Sequence, residues 1–349
     1  MHAEHVPKVH LICGFLGVGK TTALRALAAK RPPEERWAIL VNEVGMIDVD
    51  GALLNATEAT LGVQIETLPG GCICCTSQAP FRDAVAMTLR ATSPHRLFIE
   101  PTGLAAPKSL LSALSEGEFA ETVALGTVVT LVDPRRFLEP ALRAHPVFEE
   151  QIEVADVLVA NRSDLATDAQ LEQFLREADT LRPPKAVIAA RSHGDLELSW
   201  FDAAPSGGSL MRDARLPVKA VASTALHGGS APLPDADGVV RWAHADEVAS
   251  TCGWIFPSEE RFDATILEAA LGILAKPGPL LEGGALRIKG LVRTMDGVYA
   301  VHADHDGVRL EVLSSAADSR LEIIVGPGQN PPWGSVEAVL VSATVPRER

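Results

Sequence analysis

Short apolar runs alternate with longer helix-like stretches over the first 200 residues of the chain. The runs show little strict alternation of polar and apolar positions, which is typical of strands covered on both faces in a parallel sheet. Strands are predicted at 9–14, 37–42, 95–100, 123–133, 155–161 and 186–190, and helices at 20–30, 80–91 and 168–181. This order of elements predicts an α/β domain with a mainly parallel sheet.

The composition changes after residue 202. Gly, Pro, Ser and Asp are enriched at 204–217 and 227–238, which we interpret as a linker and a loop. Beyond them the pattern predicts one helix at 260–275 and strands at 285–294, 297–304, 307–315 and 320–326. We therefore predict a first domain over 1–203, a linker over 204–217 and a smaller α+β domain over 218–349.

The charge balance narrows the classes of partner. The chain has 45 acidic and 31 basic residues and a formal net charge of -14, so its field repels nucleic acid and anionic lipid. For this reason we expect no nucleic-acid partner. We expect no membrane partner either, because no apolar run reaches the ~18 residues of a membrane span. The start resembles no secretory signal, so we expect a cytoplasmic protein with reduced thiols.

A glycine-rich stretch, GFLGVGKTT, follows the first predicted strand and opens the first predicted helix. It satisfies G-x-x-x-x-G-K-[ST], in which backbone N–H groups wrap phosphates at a helix N-terminus. Lys20 would neutralise the outer phosphates, and the Thr21 hydroxyl would bind Mg²⁺. The other residues of the stretch assigned to nucleotide binding are Gly14, Gly17, Val18, Gly19 and Thr22. The alternative is a glycine-rich turn without function.

The tetrapeptide NRSD, at 161–164, follows a later predicted strand. The Asp164 carboxylate could accept hydrogen bonds from N1–H and the 2-amino group of guanine, a pair that adenine cannot supply. The pattern resembles the N-K-x-D base-reading motif of GTPases and places Asn161 and Arg162 beside the base, with arginine instead of lysine. A helix cap is the alternative reading.

Acidic residues follow two of the predicted strands. Glu100 ends one strand and precedes Gly103, which is what a Mg²⁺-directed acid and a γ-phosphate-sensing backbone require. The stretch 41–54 contains Glu43, Asp48 and Asp50 where GTPases place their first nucleotide-sensing switch. We assign Glu43 to metal binding and Asp50 to the catalytic set, the alternative being that these acids only solvate a loop.

Three cysteines, Cys72, Cys74 and Cys75, lie within four positions of the stretch LPGGCICCTSQ. Disulfides among them would be strained or close very small loops, so reduced thiolates are favoured. Soft thiolates select Zn²⁺ or Cu(I) over Mg²⁺, with Co²⁺ and Ni²⁺ as alternatives. A structural metal site with a remote fourth ligand, a redox switch and inert buried thiols remain alternatives. We interpret Cys13 as a core residue.

Taken in order, GFLGVGKTT, VNEVGMIDVDGALL, GGCICC, IEPTGLAAP, QIEVADVLVANRSDL and RIKGLVRT resemble the CobW-type metallochaperone GTPases. The resemblance spans nearly the whole chain. It implies a P-loop GTPase domain followed by a smaller α+β domain, and slow GTP hydrolysis coupled to delivery of a transition metal, most often zinc. It also implies that Lys20 and Thr21 serve phosphate and Mg²⁺, Glu100 is the second acid, Asp164 reads guanine, and the three clustered cysteines bind metal.

The chain departs from the family pattern at three points. Met46 stands where the family usually has a second switch glutamate, arginine replaces the usual lysine at Arg162, and the long histidine-rich stretch of many members is absent. We interpret HADH, at 302–305, as a surface strand-to-turn segment. The amino-terminal histidines are interpreted as part of a flexible tail: His2, His5 and His10. Cys252 and Trp254 are expected in the core or a groove of the second domain.

The function predicted from these features is a GTP-hydrolysing chaperone that carries zinc to a client protein bound through the C-terminal domain. The alternatives are a zinc buffer or regulatory module with nucleotide as a structural ligand, and a cobalt-directed chaperone. A small-molecule kinase is a third alternative, which Asp164 disfavours because most such kinases read ATP. Sequence alone names neither the client nor the fourth metal ligand.

Overall fold

The structure is a computed structural model that describes residues 5–42, 63–68, 79–202, 235, 238–245, 249–313, 316 and 318–345. The chain divides into two compact units, with the described residues up to 202 in the first and those from 235 onward in the second. The predicted linker, 204–217, and its flanking boundaries lie outside the described residues, so the domain limits stay a prediction.

A seven-stranded sheet forms the centre of the first unit, in the order β3-β2-β4-β1-β5-β6-β7. Its strands are β1 (Lys8–Gly14), β2 (Trp37–Asn42), β3 (Gln64–Leu68), β4 (Arg96–Glu100), β5 (Ala124–Val132), β6 (Val157–Ala160) and β7 (Val187–Ala190). Every neighbouring pair is parallel, which confirms the predicted sheet. The pattern did not predict β3, because this edge strand alternates exposed Gln64 with buried Ile65 and has no continuous apolar run.

Helices cover both faces of this sheet. They are α1 (Lys20–Ala28), α2 (Ala79–Thr92), α3 (Pro107–Ser115), α4 (Phe119–Thr122), α5 (Pro140–Arg143), α6 (Pro146–Val154) and α7 (Asp168–Asp179). Ile12 of β1 packs in one core with Leu24 of α1, whereas its neighbour Leu11 packs in another core with Phe81 of α2. Successive strand residues point to opposite faces, so β1 is buried on both sides as predicted. Helices α3 to α6 were not predicted.

The second unit is built on a six-stranded antiparallel sheet in the order β12-β11-β10-β13-β9-β8. Its strands are β8 (Val240–Ala245), β9 (Ser250–Phe256), β10 (Arg287–Arg293), β11 (Val298–Asp304), β12 (Gly307–Leu313) and β13 (Ser319–Val325). Helices α8 (Ala264–Leu274) and α9 (Trp333–Val341) contribute Leu271 and Leu340 to a core shared with one face of this sheet. The predicted α+β class is confirmed, although β8, β9 and α9 were not predicted.

The two described cysteines are core residues, as expected. Cys13 and Cys252 are 1% and 0% exposed, and Trp254 is also fully buried. Burial raises the pKa of each of these two thiols to about 12, which keeps them protonated and unsuited to metal binding. A metal-binding role for thiols in this chain therefore rests on Cys72, Cys74 and Cys75, which lie outside the described residues.

The interpretation of the amino-terminal histidines as a tail is wrong for His10. His10 lies in β1, is fully buried and stacks on Phe98 with ring centroids 5.2 Å apart. Its Nδ1 accepts a hydrogen bond from the backbone N–H of Thr127 at 2.9 Å. The HADH segment does pass from a strand to a turn, with His305 exposed and His302 half-buried.

None of the helices described here has the length and apolar character that crossing a membrane requires.

Candidate functional site

The phosphate loop lies between the end of β1 at Gly14 and the start of α1 at Lys20. The side chain of Lys20 is 5% exposed, and its Nζ donates hydrogen bonds to the carbonyl oxygens of Gly14 at 2.9 Å and Phe15 at 3.5 Å. The ammonium group thus turns back across the loop at the N-terminus of a helix, where backbone N–H groups attract anions. This arrangement suits an outer phosphate of a nucleotide.

The remaining loop residues have distinct surroundings. Gly17 and Gly19 have φ angles of 75° and 97°, which bring the chain around to the first turn of α1. Val18 is buried, whereas Thr22 is exposed on that turn. Within this stretch, the structure therefore places backbone amides and the two side chains of Lys20 and Thr21 at the edge of the sheet.

The structure brings Thr21 and Glu100 together. Strand β4 pairs directly with β1, so its last residue, Glu100, ends beside the loop. The Thr21 hydroxyl donates a 2.9 Å hydrogen bond to Oε1 of Glu100, whose carboxylate is almost completely buried. A hydroxyl and a carboxylate next to a phosphate site are the hard oxygen ligands that Mg²⁺ uses with nucleotides. The donor set fits this ion.

Gly103 lies in contact with the phosphate loop. The segment that follows β4 forms a tight turn, in which the N–H of Ala105 donates to the carbonyl of Thr102 at 3.0 Å. A Cβ atom added at Gly103 would lie 2.7 Å from the backbone nitrogen of Leu16, far closer than real Cβ contacts. The backbone of this turn therefore reaches the loop directly, which is the position that a γ-phosphate sensor needs.

Asn161 joins the phosphate loop to the loop that follows β7. It follows β6, is 2% exposed, and donates from Nδ2 to the carbonyl of Val18 at 2.8 Å. Its Oδ1 accepts a 3.1 Å hydrogen bond from the N–H of Gly194. Both halves of the amide are thus used to hold two loops together.

Arg162 and Asp164 follow at the same edge. Arg162 has a left-handed φ of 58°, and its NH1 lies 3.8 Å from Oδ2 of Asp133. Asp133 also pairs with Arg135 at 2.5 Å. Asp164 lies in a short 3₁₀ turn, Ser163–Leu165, with its carboxylate exposed to solvent. The structure therefore leaves this carboxylate accessible to a base while an acidic partner holds the neighbouring arginine.

Sequence reasoning assigned no role to Asp133 or Gly194, although both touch residues of the candidate site. A usable signal did exist, because Asp133 ends the predicted strand 123–133 and Gly194 follows the predicted strand 186–190. Ligand sites of parallel α/β sheets lie outside the carboxyl ends of the strands. Residues at these strand ends are therefore functional candidates even where no motif matches.

Glu43, Asp50, Cys72, Cys74 and Cys75 lie outside the described residues. The described strands nevertheless show where their segments begin. Strand β2 ends at Asn42, directly before Glu43, and β3 ends at Leu68, four residues before Cys72. Because β3, β2, β4 and β1 are parallel neighbours, both segments leave the sheet at the edge that carries the phosphate loop.

The first unit is thus a P-loop nucleotide-binding domain, and comparison with known proteins defines its family. Residues 8–189 match the family described as CobW/HypB/UreG, nucleotide-binding domain. The chain belongs to this family, which confirms the predicted relationship to the CobW-type GTPases.

Curated relatives extend the likeness beyond this domain. The zinc chaperone YeiR of Escherichia coli (strain K12) is 31% identical over 346 residues, covering 96% of this chain and 97% of YeiR. The zinc chaperone CobW of Sinorhizobium sp is 26% identical over 339 residues, covering 90% of this chain and 83% of CobW. The crystal structure of Zn(II)-bound YjiA GTPase from E. coli matches with 17% identity and a TM-score of 0.41, over 97% of this chain and 98% of YjiA.

Proposed function

We propose that the chain is a GTP-hydrolysing metal chaperone that binds a transition metal, zinc in the first place, at Cys72, Cys74 and Cys75. One observation carries the proposal: the strand that leads to these cysteines ends at the same sheet edge as the phosphate loop. In the order β3-β2-β4-β1, three strand spacings separate the two segments. At ~4.8 Å for each spacing, they leave the sheet about 14 Å apart.

The nucleotide half of the site is supported by the described side chains. Lys20 offers its ammonium group to the outer phosphates, and the turn at Gly103 offers backbone N–H to the γ-phosphate. Thr21 and Glu100 would hold Mg²⁺, directly or through water, and the ion when bound would neutralise charge on the β- and γ-phosphates. Hydrolysis on this site would depend on positioning and charge stabilisation more than on covalent chemistry.

The base half of the site favours guanine. The exposed carboxylate of Asp164 can accept two hydrogen bonds from the guanine edge, and Arg162 can lie along the ring plane with Asp133 as its acidic partner. Asn161 would fix these residues to the phosphate loop through Val18. The two halves together support GTP as substrate and GDP as product.

Coupling between nucleotide and metal is proposed to pass through the strand ends. Glu43 follows β2, which lies between the strand of the thiols and the strand of Glu100, and it is our candidate for an additional metal ligand. Asp50, in the same segment, is our candidate for positioning the attacking water. The client would bind through the second unit. The names of the curated relatives support zinc as the cargo, with cobalt as the alternative.

The test is a titration of Zn²⁺ against a chromophoric chelator, with the full chain nucleotide-free, bound to GDP, and bound to a non-hydrolysable GTP analogue with Mg²⁺. We expect the zinc affinity to differ 5- to 150-fold between nucleotide states, the usual range of coupling between two sites. Cys74→Ser should abolish tight binding, whereas Cys252→Ala, which removes a buried protonated thiol, should leave it unchanged. Equal zinc affinity in all three states would instead identify a buffer or a structural site.

A further inference from the structure

Gln151 is a buried polar residue that none of the motifs includes. It lies in α6, is 1% exposed, and donates from Nε2 to two backbone carbonyl oxygens, those of Gly103 at 3.1 Å and Ala105 at 3.2 Å. The backbone carbonyl oxygen of Gln151 accepts a 2.8 Å hydrogen bond from the Thr130 hydroxyl of β5. The residue is therefore attached to the central sheet at its backbone and to the turn after β4 at its side chain.

The turn that Gln151 holds has little freedom on its other side. Gly103 touches Leu16 of the phosphate loop, and the N–H of Leu104 donates to the Thr102 hydroxyl at 3.3 Å. A shift of this turn by even a few tenths of an ångström away from the loop would change the distance from the Gly103 N–H to a bound γ-phosphate. The Gln151 amide opposes such a shift, because two hydrogen bonds from one rigid group define both position and orientation.

Helix α6 contacts the same region at two further points. Glu150 accepts a 2.9 Å hydrogen bond from the backbone N–H of Lys108, at the start of α3 directly after the turn. Phe148 meets Phe15 of the phosphate loop edge to face, with ring centroids 6.1 Å apart. One helix thus contacts both the loop that surrounds the phosphates and the segment proposed to sense the third phosphate.

We propose that Gln151 is a positioning residue for GTP hydrolysis: its amide holds the Gly103–Ala105 turn at the distance from the phosphate loop at which the Gly103 N–H binds a γ-phosphate. The inference rests on the proposed γ-phosphate contact of Gly103. It predicts a specific effect, because GDP has no γ-phosphate and does not need the turn in this position.

The experiment compares Gln151→Met, which keeps the length of the side chain and removes its donors, with the parent full-length chain. Affinities for GDP and for a non-hydrolysable GTP analogue with Mg²⁺ are measured, together with kcat and KM for GTP. We expect GDP affinity within twofold of the parent, at least a tenfold loss of preference for the analogue over GDP, and at least a tenfold loss of kcat. If Gln151→Met folds poorly, Gln151→Asn takes its place. It keeps the amide but shortens its reach, and it should show smaller losses of the same kind.

Thr130→Val is the matched control, because it removes a hydrogen bond to the same residue at the backbone and leaves the side-chain amide in place. It should lower the thermal midpoint without changing the preference for the analogue. The proposal is overturned if Gln151→Met keeps the preference, or loses GDP and analogue affinity in equal proportion.

Gly103→Ala separates failure of this inference from failure of the proposed function. If Gly103→Ala loses the preference for the analogue while Gln151→Met keeps it, γ-phosphate sensing stands and the role of Gln151 is wrong. If the parent itself binds GDP and the analogue alike, sensing at Gly103 is wrong, and the role of Gln151 falls with it.

Discussion

Gly194 illustrates how a single residue can hold distant parts of the nucleotide edge together. Its φ is 71°, and a Cβ at this position would lie 2.5 Å from the Cα of Ala23 in α1. The same residue donates its N–H to Asn161, whose amide in turn reaches the carbonyl of Val18. A residue without a side chain is required here, because the loop after β7 lies directly against the helix that follows the phosphate loop.

Gly194→Ala should weaken binding of GDP and GTP alike, by at least tenfold, and lower thermal stability by more than the ~1–2 kcal/mol that a left-handed φ alone costs an L-residue. Isothermal titration and thermal unfolding provide the measurements. Gly117→Ala is the matched control, since Gly117 has a φ of 61° and its added Cβ would meet only the end of the flexible Arg82 side chain. Similar losses in the two variants would contradict a role for close packing against α1.

At the residue scale, sequence and structure contribute differently. Lys20 and Thr21 could be assigned from a local motif, because strand, loop and helix are contiguous in the chain. The contacts of Gly194 and Gln151 could not be assigned in this way, because their partners are distant in sequence: Asn161 and Gly194 are 33 positions apart. Which residues meet across such separations depends on strand order and helix packing.

At the scale of elements, the antiparallel sheet of the second unit carries a row of charged and polar residues across its strands. Lys289 of β10 lies opposite Glu322 of β13 on one side and opposite His302 of β11 on the other, in the register of the antiparallel strands. Burial raises the pKa of Glu322 to about 7, although Arg287 and Lys289 oppose this shift. Burial, with Lys289 and two arginines, lowers the pKa of His302 to about 3. Between about pH 3 and pH 7, both residues therefore favour their neutral forms in the folded sheet.

Glu322→Gln tests the effect of this burial on stability. Because the folded pKa of about 7 exceeds the ordinary value of 4.5, the stabilising contribution is present below pH 4.5 and is lost as pH rises through 7. Glutamine does not titrate, so the variant should gain about 3 kcal/mol over the parent at pH 8 relative to pH 5, at ~1.4 kcal/mol for each pKa unit. Denaturant unfolding of the full chain at the two pH values measures the difference.

The control for this prediction is Glu268→Gln on α8, where the carboxylate is exposed. This variant makes the same chemical change at an exposed position, so it measures what replacing a glutamate by glutamine does to the free energy of unfolding without burial. A pH-independent effect of Glu322→Gln would show that Glu322 is ionised in the folded sheet at both pH values. His302 does not confound the comparison, since it is present in both proteins.

At the scale of the whole molecule, the proposed function combines two chemistries on one sheet edge of the first unit. The Thr21 hydroxyl, the Glu100 carboxylate and the Lys20 ammonium group lie where β1 and β4 end. The proposed thiol ligands follow β3 in sequence. In the proposed function the two sets share no residue, so phosphate and metal would bind independently and would still affect each other through the strand ends between them. A single mixed site would not allow one chemistry to be removed without the other.

Lys20→Ala should therefore reduce GTP turnover below detection while leaving the zinc affinity of the nucleotide-free chain within about threefold of the parent, a difference of about 0.7 kcal/mol. Phosphate release and chelator competition measure the two quantities on the same preparation. Lys8→Ala is the control, because Lys8 is an exposed residue at the amino end of β1, opposite the end that leads into the phosphate loop. Loss of zinc binding in Lys20→Ala would mean that the two sites are one.

The chain alone determined the elements whose apolar pattern is long or continuous, the phosphate loop and the class of both units, because these depend on neighbours in sequence. Strand β3 and the helices from α3 to α6 were not predicted, since an edge strand is only half-buried and these helices span only four to nine residues. Only the tertiary structure decided that Thr21 meets Glu100, that Gln151 holds the turn at Gly103, and that Glu322 is buried. Those contacts follow from strand order and packing, which bring together residues that no local pattern relates.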